Sequence, residues 1–457
     1  MPTRKTLELL RAYESRNITF IDSDGTWPIV WERAQGVHVW DVDGKKYLDL
    51  TAAFGVAAAG HANPRVVRAG QQQMGRLLHA MGDVHPHALK AQLARELSRL
   101  TFERWGVPAS RSRGKVILGN SGFEAVEAAL KTAMLATGKA GVLAFEGAYH
   151  GLGYGALNAT HRDHFRSPFR RQLREFGSFV AFPVETENPQ GSLPRSNAAG
   201  KSRLRPCATL AETERQIRRR LRQGGIGAIL VEPIQVRGGI HIPTPGFLPL
   251  LRKLCDEFGA LLIVDEIYTG FGRTGRWFAC EHSSVVPDLI CLGKALTGGF
   301  ALSACVGKAE VMDAAWPPST GEAIHTSTFL GHPVGCAMAL AQVNELRQAD
   351  LVRRSNRLGD TLRSMLLALR APATNLECHA RGQGLLAGLE LRGPEGRPAT
   401  KATMVAIKAM LQRGFILLPE GEHANVISFT PPLTISETQL RTAVDALDRV
   451  LHELDPV

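Results

Sequence analysis

The sequence predicts an α/β fold: a mostly parallel, seven-stranded sheet covered by helices, with a second, smaller α+β domain assembled from both termini. Three observations lead there. Seven short aliphatic runs alternate with helix-like segments: "KVILGN" (115–120), "GVLAF" (141–145), "FVAFPV" (179–184), "GAILVEP" (227–233), "ALLIVDE" (260–266), "DLICLGK" (288–294) and "LSACVGK" (302–308). Their near-continuous apolar character suits strands buried on both faces, the habit of parallel sheets. The flanks read differently, which places the large domain at 76–334 and gives the small domain residues 1–75 and 335–457.

From the N-terminus onward, "GVHVWDVDGKKYLDL" (36–50) reads as a hairpin turning at Asp43-Gly44. After the first aliphatic run, "SGFEAVEAALKTAMLATG" sets Val126, Leu130 and Met134 on one helical face. The stretch "ENPQGSLPRSNAAGKSRLRPCA" (187–208) is rich in Pro, Gly, Ser and Arg and reads as a surface loop. Beyond residue 335 come amphipathic helices and two strands, in "GLLAGLEL" (384–391) and "NVISFTPPL" (425–433).

Composition narrows the class. With 457 residues and 44% hydrophobic content the chain can bury a large core. No run approaches the ~20 apolar residues that a membrane span needs. The opening "MPTRKTLELLRAYESRNITF" lacks a signal-peptide apolar core. Seven scattered cysteines without C-x-x-C spacing suit reduced thiols, so a cytoplasmic protein is expected. The net charge of +11 and "RQIRRRLRQ" (215–223) suggest nucleic acid, but no aromatic interleaving accompanies the arginines, and a solvated helix face explains them.

In such sheets ligands gather beyond the carboxyl ends of the strands. Glu232, Asp265 and Lys294 all sit there. "TGFGRTG" (269–275) contains G-x-G-x-x-G, but "RWFACEHSSVV" follows where a dinucleotide site needs a helix, leaving an NAD-dependent oxidoreductase as a weak alternative. "GNSGF" (119–123) resembles a nucleophile elbow, except that Phe123 stands where the second glycine belongs. It reads better as a phosphate cradle, with the Gly122 and Phe123 amides at a helix N-terminus and the Ser121 hydroxyl beside them; an ordinary N-cap serine is the plain alternative. "HPH" (85–87) and "HRDH" (161–164) lack ligand spacing, so no metal site is expected.

Lys294, like Lys308, could be a lysine snorkelling from a strand end. Its company argues otherwise. A Schiff-base lysine needs a carbonyl partner, of which pyridoxal phosphate is the best known. That cofactor needs an acid on its ring nitrogen, a phosphate cradle and a flat residue against its ring. Asp265, "NSGF" and Tyr149 in "GAYHG" (147–151) supply the three.

The chain resembles the class III (omega) aminotransferases, pyridoxal-phosphate enzymes of fold type I, over nearly its whole length. The resemblance is carried by "NSGFEAVEAALKTA", "YHG", "VEPIQ", "LLIVDEIYTGFGRTG", "PDLICLGKALTGG" and "TSTFLGHP". It implies Lys294 as Schiff-base lysine and general base, and Asp265 as partner of the pyridine nitrogen. It implies Gly122 and Phe123 at the phosphate, Tyr149 on the ring, and Gln235 near the ring hydroxyl with Glu232 in a supporting network. Thr328 would reach the phosphate of the neighbouring subunit, so a homodimer is implied. Phe54 and Val56 would line the mouth of the substrate pocket, where packing between domains is the plain alternative.

The resemblance also implies transfer of an amino group from a primary amine or ω-amino acid to a keto acid, pyruvate or 2-oxoglutarate. Two departures bear on the substrate. The subgroup acting on 4-aminobutyrate and ornithine usually has an acid where this chain has Arg237. It usually has an arginine, as a carboxylate clamp, where this chain has Ser428. Arg237 could take over the carboxylate, or the acceptor could be smaller. A third departure is His332, where asparagine is more usual. An amino-acid racemase, epimerase or aminomutase on the same scaffold is the main alternative, since a racemase needs no second substrate.

Overall fold

The protein is described by a computed structural model covering residues 1–23, 25–106, 112–184, 192–196, 202–206, 208–371 and 375–454. Its central sheet has seven strands in the spatial order Gly114–Gly119, Ser303–Lys308, Leu289–Leu292, Leu261–Asp265, Ile226–Val231, Gly141–Phe145, Gly177–Val180. Six run parallel, and Ser303–Lys308 is antiparallel to both of its neighbours. The aliphatic runs become strands because alternate residues are wanted on both faces. Ile263, Leu289 and Cys291 pack against Ala125, Ala129 and Leu130 of the helix Gly122–Thr137. Leu262, Val264, Ile290 and Leu292 belong instead to the main core, with Leu251 and Leu254 of the helix Phe247–Phe258. Alanines on the first helix let its backbone approach the sheet closely. Of the face expected on it, Val126 and Leu130 are buried and Met134 is exposed.

The run 179–184 enters the sheet earlier than its sequence suggests, at Gly177, and leaves at Val180. Residues 181–184 remain buried, which is why their apolar pattern mimics a strand. Of the stretch 187–208, two described segments, Ser192–Ser196 and Ser202–Pro206, pair as an antiparallel ribbon rather than a plain loop; the rest lies outside the described residues.

The flanks meet. The hairpin pairs His38 with Leu48 and Val39 with Tyr47, turning through Gly44 at φ 88°. Phe415–Ile416 then adds to the hairpin in parallel beside Leu48 and Asp49. A second four-stranded sheet, of Glu377–Gln383, Leu386–Arg392, Val426–Phe429 and Leu418–Glu420, is antiparallel throughout. Its strand pair Leu418↔Ser428 places Glu420, two residues on, at the end nearer the large sheet's ligand edge, where its partner is Arg237. The six described cysteines are free thiols, and Cys207 lies outside the described residues. Among the described residues no helix is long and apolar enough to cross a membrane.

Candidate active site

The carboxyl ends of five strands converge on a cavity of about 360 Å³, within the range of small-molecule sites. Lys294 follows Leu289–Leu292 after one glycine, and its backbone is left-handed, φ 39°, a conformation that costs a lysine about 1 kcal/mol or more and persists where surroundings impose it. Gly293 is part of that imposition: a β-carbon there would stand 3.3 Å from Ile267 and 3.7 Å from Gly122 Cα. The lysine turn is thus pressed against the start of the helix Gly122–Thr137. Lys294 Nζ lies 4.3 Å from the Tyr268 ring centroid. Burial pushes its ammonium below the usual range, against the opposing pull of Asp265, Glu232 and Glu420.

Asp265 closes the neighbouring strand. One carboxylate oxygen accepts from the Ile267 amide at 3.0 Å, and the other lies 2.8 Å from His150 Nδ1. An ionised carboxylate only accepts, so the imidazole proton resides on Nδ1. His150 is buried, and its Nε2 has no hydrogen-bond partner among the described residues. Glu232, at the end of Ile226–Val231, accepts from the Tyr149 amide at 2.9 Å and thereby fixes the loop that carries the tyrosine. Burial, and Asp265 nearby, push the Glu232 carboxyl up to about 7. Tyr149 stands edge-on to Phe165 at 5.4 Å, with the Arg237 guanidinium 5.7 Å from its centroid.

Gly122, Phe123, Tyr149, Glu232, Arg237, Asp265 and Lys294 all line this cavity. Ser121 stands just before them as the N-cap of the helix Gly122–Thr137, paired with Glu124 in a capping box, so the ordinary N-cap role is present beside the helix-start amides of Gly122 and Phe123. Gln235 does not line it; the amide donates to the Glu146 carbonyl at 2.9 Å, under the loop at Gly147. Ser428 is buried in the small antiparallel sheet and Thr328 is exposed, neither lining the cavity of its own chain. Phe54 and Val56 also stand back from it. Phe54 belongs to a left-handed run, Ala52 to Gly55, and Val56 follows it in a right-handed conformation; the run rests on Tyr268, where a β-carbon on Gly55 would come within 2.9 Å of the ring.

Two site residues escape sequence reasoning. His150 stood in "YHG" but carried no role until its contact with Asp265 was seen. Glu420 gave no signal: it ends a three-residue strand and meets Arg237 only through the tertiary fold, at 3.3 Å. By contrast Lys308 pairs with Asp288 at 2.7 Å, an ordinary structural lysine. "TGFGRTG" forms an irregular turn whose Arg273 is buried and donates to the carbonyls of Leu385 and Pro431, so its glycines serve packing. Arg218 of the arginine run pairs with Glu214 and Glu257. His332 caps the helix Pro333–Gln348, accepting from the Val334 amide at 3.3 Å.

The sheet edge thus gathers a desolvated lysine, an acid paired with a histidine, and the N-terminus of a helix around one cavity. The Aminotransferase class-III family matches residues 20–451, and the chain belongs to it. It is 35% identical to 5-aminovalerate aminotransferase DavT of Pseudomonas aeruginosa, over 93% of this chain and 94% of that one. It is 35% identical to putrescine aminotransferase of Pectobacterium atrosepticum, over 95% and 85% respectively. Among solved structures, a PLP-bound amine transaminase from an uncultivated Pseudomonas species superposes with a TM-score of 0.82 at 25% identity, covering 96% of this chain and 98% of that one. Class III aminotransferases are pyridoxal-phosphate enzymes, and this chain is an aminotransferase with their fold.

Proposed function

We propose that the chain binds pyridoxal phosphate through Lys294 and moves an amino group from an ω-amino acid or primary amine to a keto acid. The observation that carries this is Lys294 itself, set on a left-handed backbone at a strand end, partly desolvated and facing Asp265. When bound, the cofactor supplies a carbonyl for the amine and a ring that accepts electrons from the substrate carbon. Asp265 keeps a proton on the ring nitrogen, and His150 holds that carboxylate in place. Ser121, Gly122 and Phe123 take the phosphate, and Tyr149 lies on the ring, steadied by Glu232. Gln235 stands under the loop beside it. Burial lowers the affinity of Lys294 for its proton, which suits its amine to act as the base at the substrate carbon.

Besides Lys294, Arg237 is the basic side chain of Lys or Arg type that lines this cavity among the described residues, and it takes a substrate carboxylate in place of the arginine that Ser428 replaces. Curated relatives are named for 5-aminovalerate and putrescine, which brackets the donor between an ω-amino acid and a diamine. The working unit is a homodimer, with Thr328 completing the neighbouring site. Its support is an exposed apolar face on which Leu78, Met81, Val84 and Phe329 lie together, tied by Thr326 to Asp83 at 2.6 Å. Free thiols suit a reducing cytoplasm.

The test is an absorption spectrum of the purified protein given pyridoxal phosphate, beside Lys294→Ala. A visible band that bleaches with an amine and returns with pyruvate or 2-oxoglutarate is expected. A band that survives every amine while one amino acid loses its chirality would indicate racemisation instead. No band at all would overturn the reading.

A further inference from the structure

Arg237 does not wait free in the cavity. One terminal nitrogen of its guanidinium stands 3.3 Å and 3.4 Å from the two carboxylate oxygens of Glu420, and the Arg237 carbonyl accepts from the Gly421 amide at 3.3 Å. The partners differ in freedom. The Arg237 side chain is 31% exposed and can turn, whereas that of Glu420 is 2% exposed and held in a sheet strand. Arg237 therefore moves, and Glu420 decides what the move costs. Stripping the cation from a buried carboxylate leaves a lone charge out of water, and such a group neutralises rather than bear the cost.

We propose that Glu420 is a specificity-determining residue that holds Arg237 and releases it to a substrate carboxylate by taking one proton from water, so that carboxylate-bearing substrates bind with proton uptake. The proposal rests on the reading of the cavity given above. The proton is given up by the buffer acid in the surrounding water, whose conjugate base stays in solution, and adds to a Glu420 oxygen as the Arg237 ion pair transfers to the substrate; no other covalent bond changes. The charged groups facing Glu420 are Arg237, Lys294 and Arg162, with Tyr149 and Tyr268 also within its field. Glu422 and His423 follow on its own segment. Burial already pushes the Glu420 carboxyl up to about 7 with Arg237 pulling down, and losing Arg237 pushes it further. Above about pH 7 the group is ionised before binding and neutral after, so carboxylate affinity falls as pH rises, by at most about tenfold per unit.

Valerate, a five-carbon carboxylate with no amine, is the probe. Its binding to cofactor-loaded protein is measured calorimetrically at pH 8 in two buffers of different ionisation enthalpy, for wild type, Glu420→Gln and Arg237→Met. Wild type should take up close to one proton, and Glu420→Gln none, with tighter valerate binding and a flatter pH dependence. The KM for 5-aminovalerate relative to that for pentylamine should fall in Glu420→Gln, a split that a merely structural role would not give. Arg237→Met should lose valerate binding while keeping its visible band, which preserves the test if Glu420→Gln folds poorly. Equal proton uptake in wild type and Glu420→Gln, or no valerate binding by wild type, overturns the proposal. Absence of the visible band in wild type is instead the failure of the cofactor reading.

Discussion

Lys294 and Lys308 both close an aliphatic run with a lysine, and what surrounds each differs. Lys308 is matched to Asp288, which also holds Arg252 at 2.7 Å, so its charge is answered. Lys294 faces an aromatic ring. Its charge is a burden to the folded protein, which predicts that in the cofactor-free state Lys294→Met is more stable than wild type. The sign follows from the depressed pKa. Below it the lysine is charged in both folded and unfolded chains and the penalty is complete; as pH rises toward the unfolded value of about 10.4 the penalty disappears. Thermal melts from pH 7 to 10 should show the gap in midpoint closing. With cofactor bound, Asp265→Asn should lower the rate of amine consumption roughly a hundred- to ten-thousandfold while leaving the fold intact. Lys294, Asp265 and the "NSGF" cradle were legible in the sequence because each directly follows an aliphatic run. Glu420 was not, because its significance lies in a partner 183 residues away.

At the scale of elements, the run from Ala52 to Gly55 illustrates what pattern reading cannot supply. Four successive residues have φ between 47° and 82°, although only the last is a glycine. The sequence leads one to expect Phe54 and Val56 at the pocket mouth; the segment packs through Gly55 on Tyr268, itself a residue lining the cavity. Gly55→Ala combines a positive φ with a β-carbon 2.9 Å from the Tyr268 ring, so it should destabilise the protein by about 1–3 kcal/mol and weaken the visible band. Chemical denaturation and cofactor titration check the two effects. The sheet strands, by contrast, were legible to within a few residues, since burial on both faces writes the same apolar run whatever the neighbours. The run 179–184 shows the limit: burial without pairing gives the same run.

Over the whole molecule, Arg273 links the large sheet's loop to the C-terminal segments through the carbonyls of Leu385 and Pro431. Burial pushes its guanidinium down to about 10, an unusual position for an arginine. Arg273→Met strands two buried carbonyls and should cost about 1–3 kcal/mol in a denaturation curve. Phe329→Glu, on the exposed apolar face, should shift the sedimenting species toward a monomer and loosen the cofactor, if that face joins two chains. The homodimer was expected from the family resemblance, but the partners of Arg273 and the gathering of residues 78–84 near Phe329 were not legible, because each depends on segments brought together only in three dimensions.

The reversal of one strand has a further consequence. Because Ser303–Lys308 runs against its neighbours, Leu292 stands opposite Ala304 and both ends of residues 293–302 are stitched into the middle of the same sheet edge. The lysine therefore rides on a closed loop rather than a free arm. Both ends of the loop are fixed by interior strands, so its path is set by the sheet. A site meant to trade partners at every turnover is in this way mounted on one of the least yielding spans of the chain.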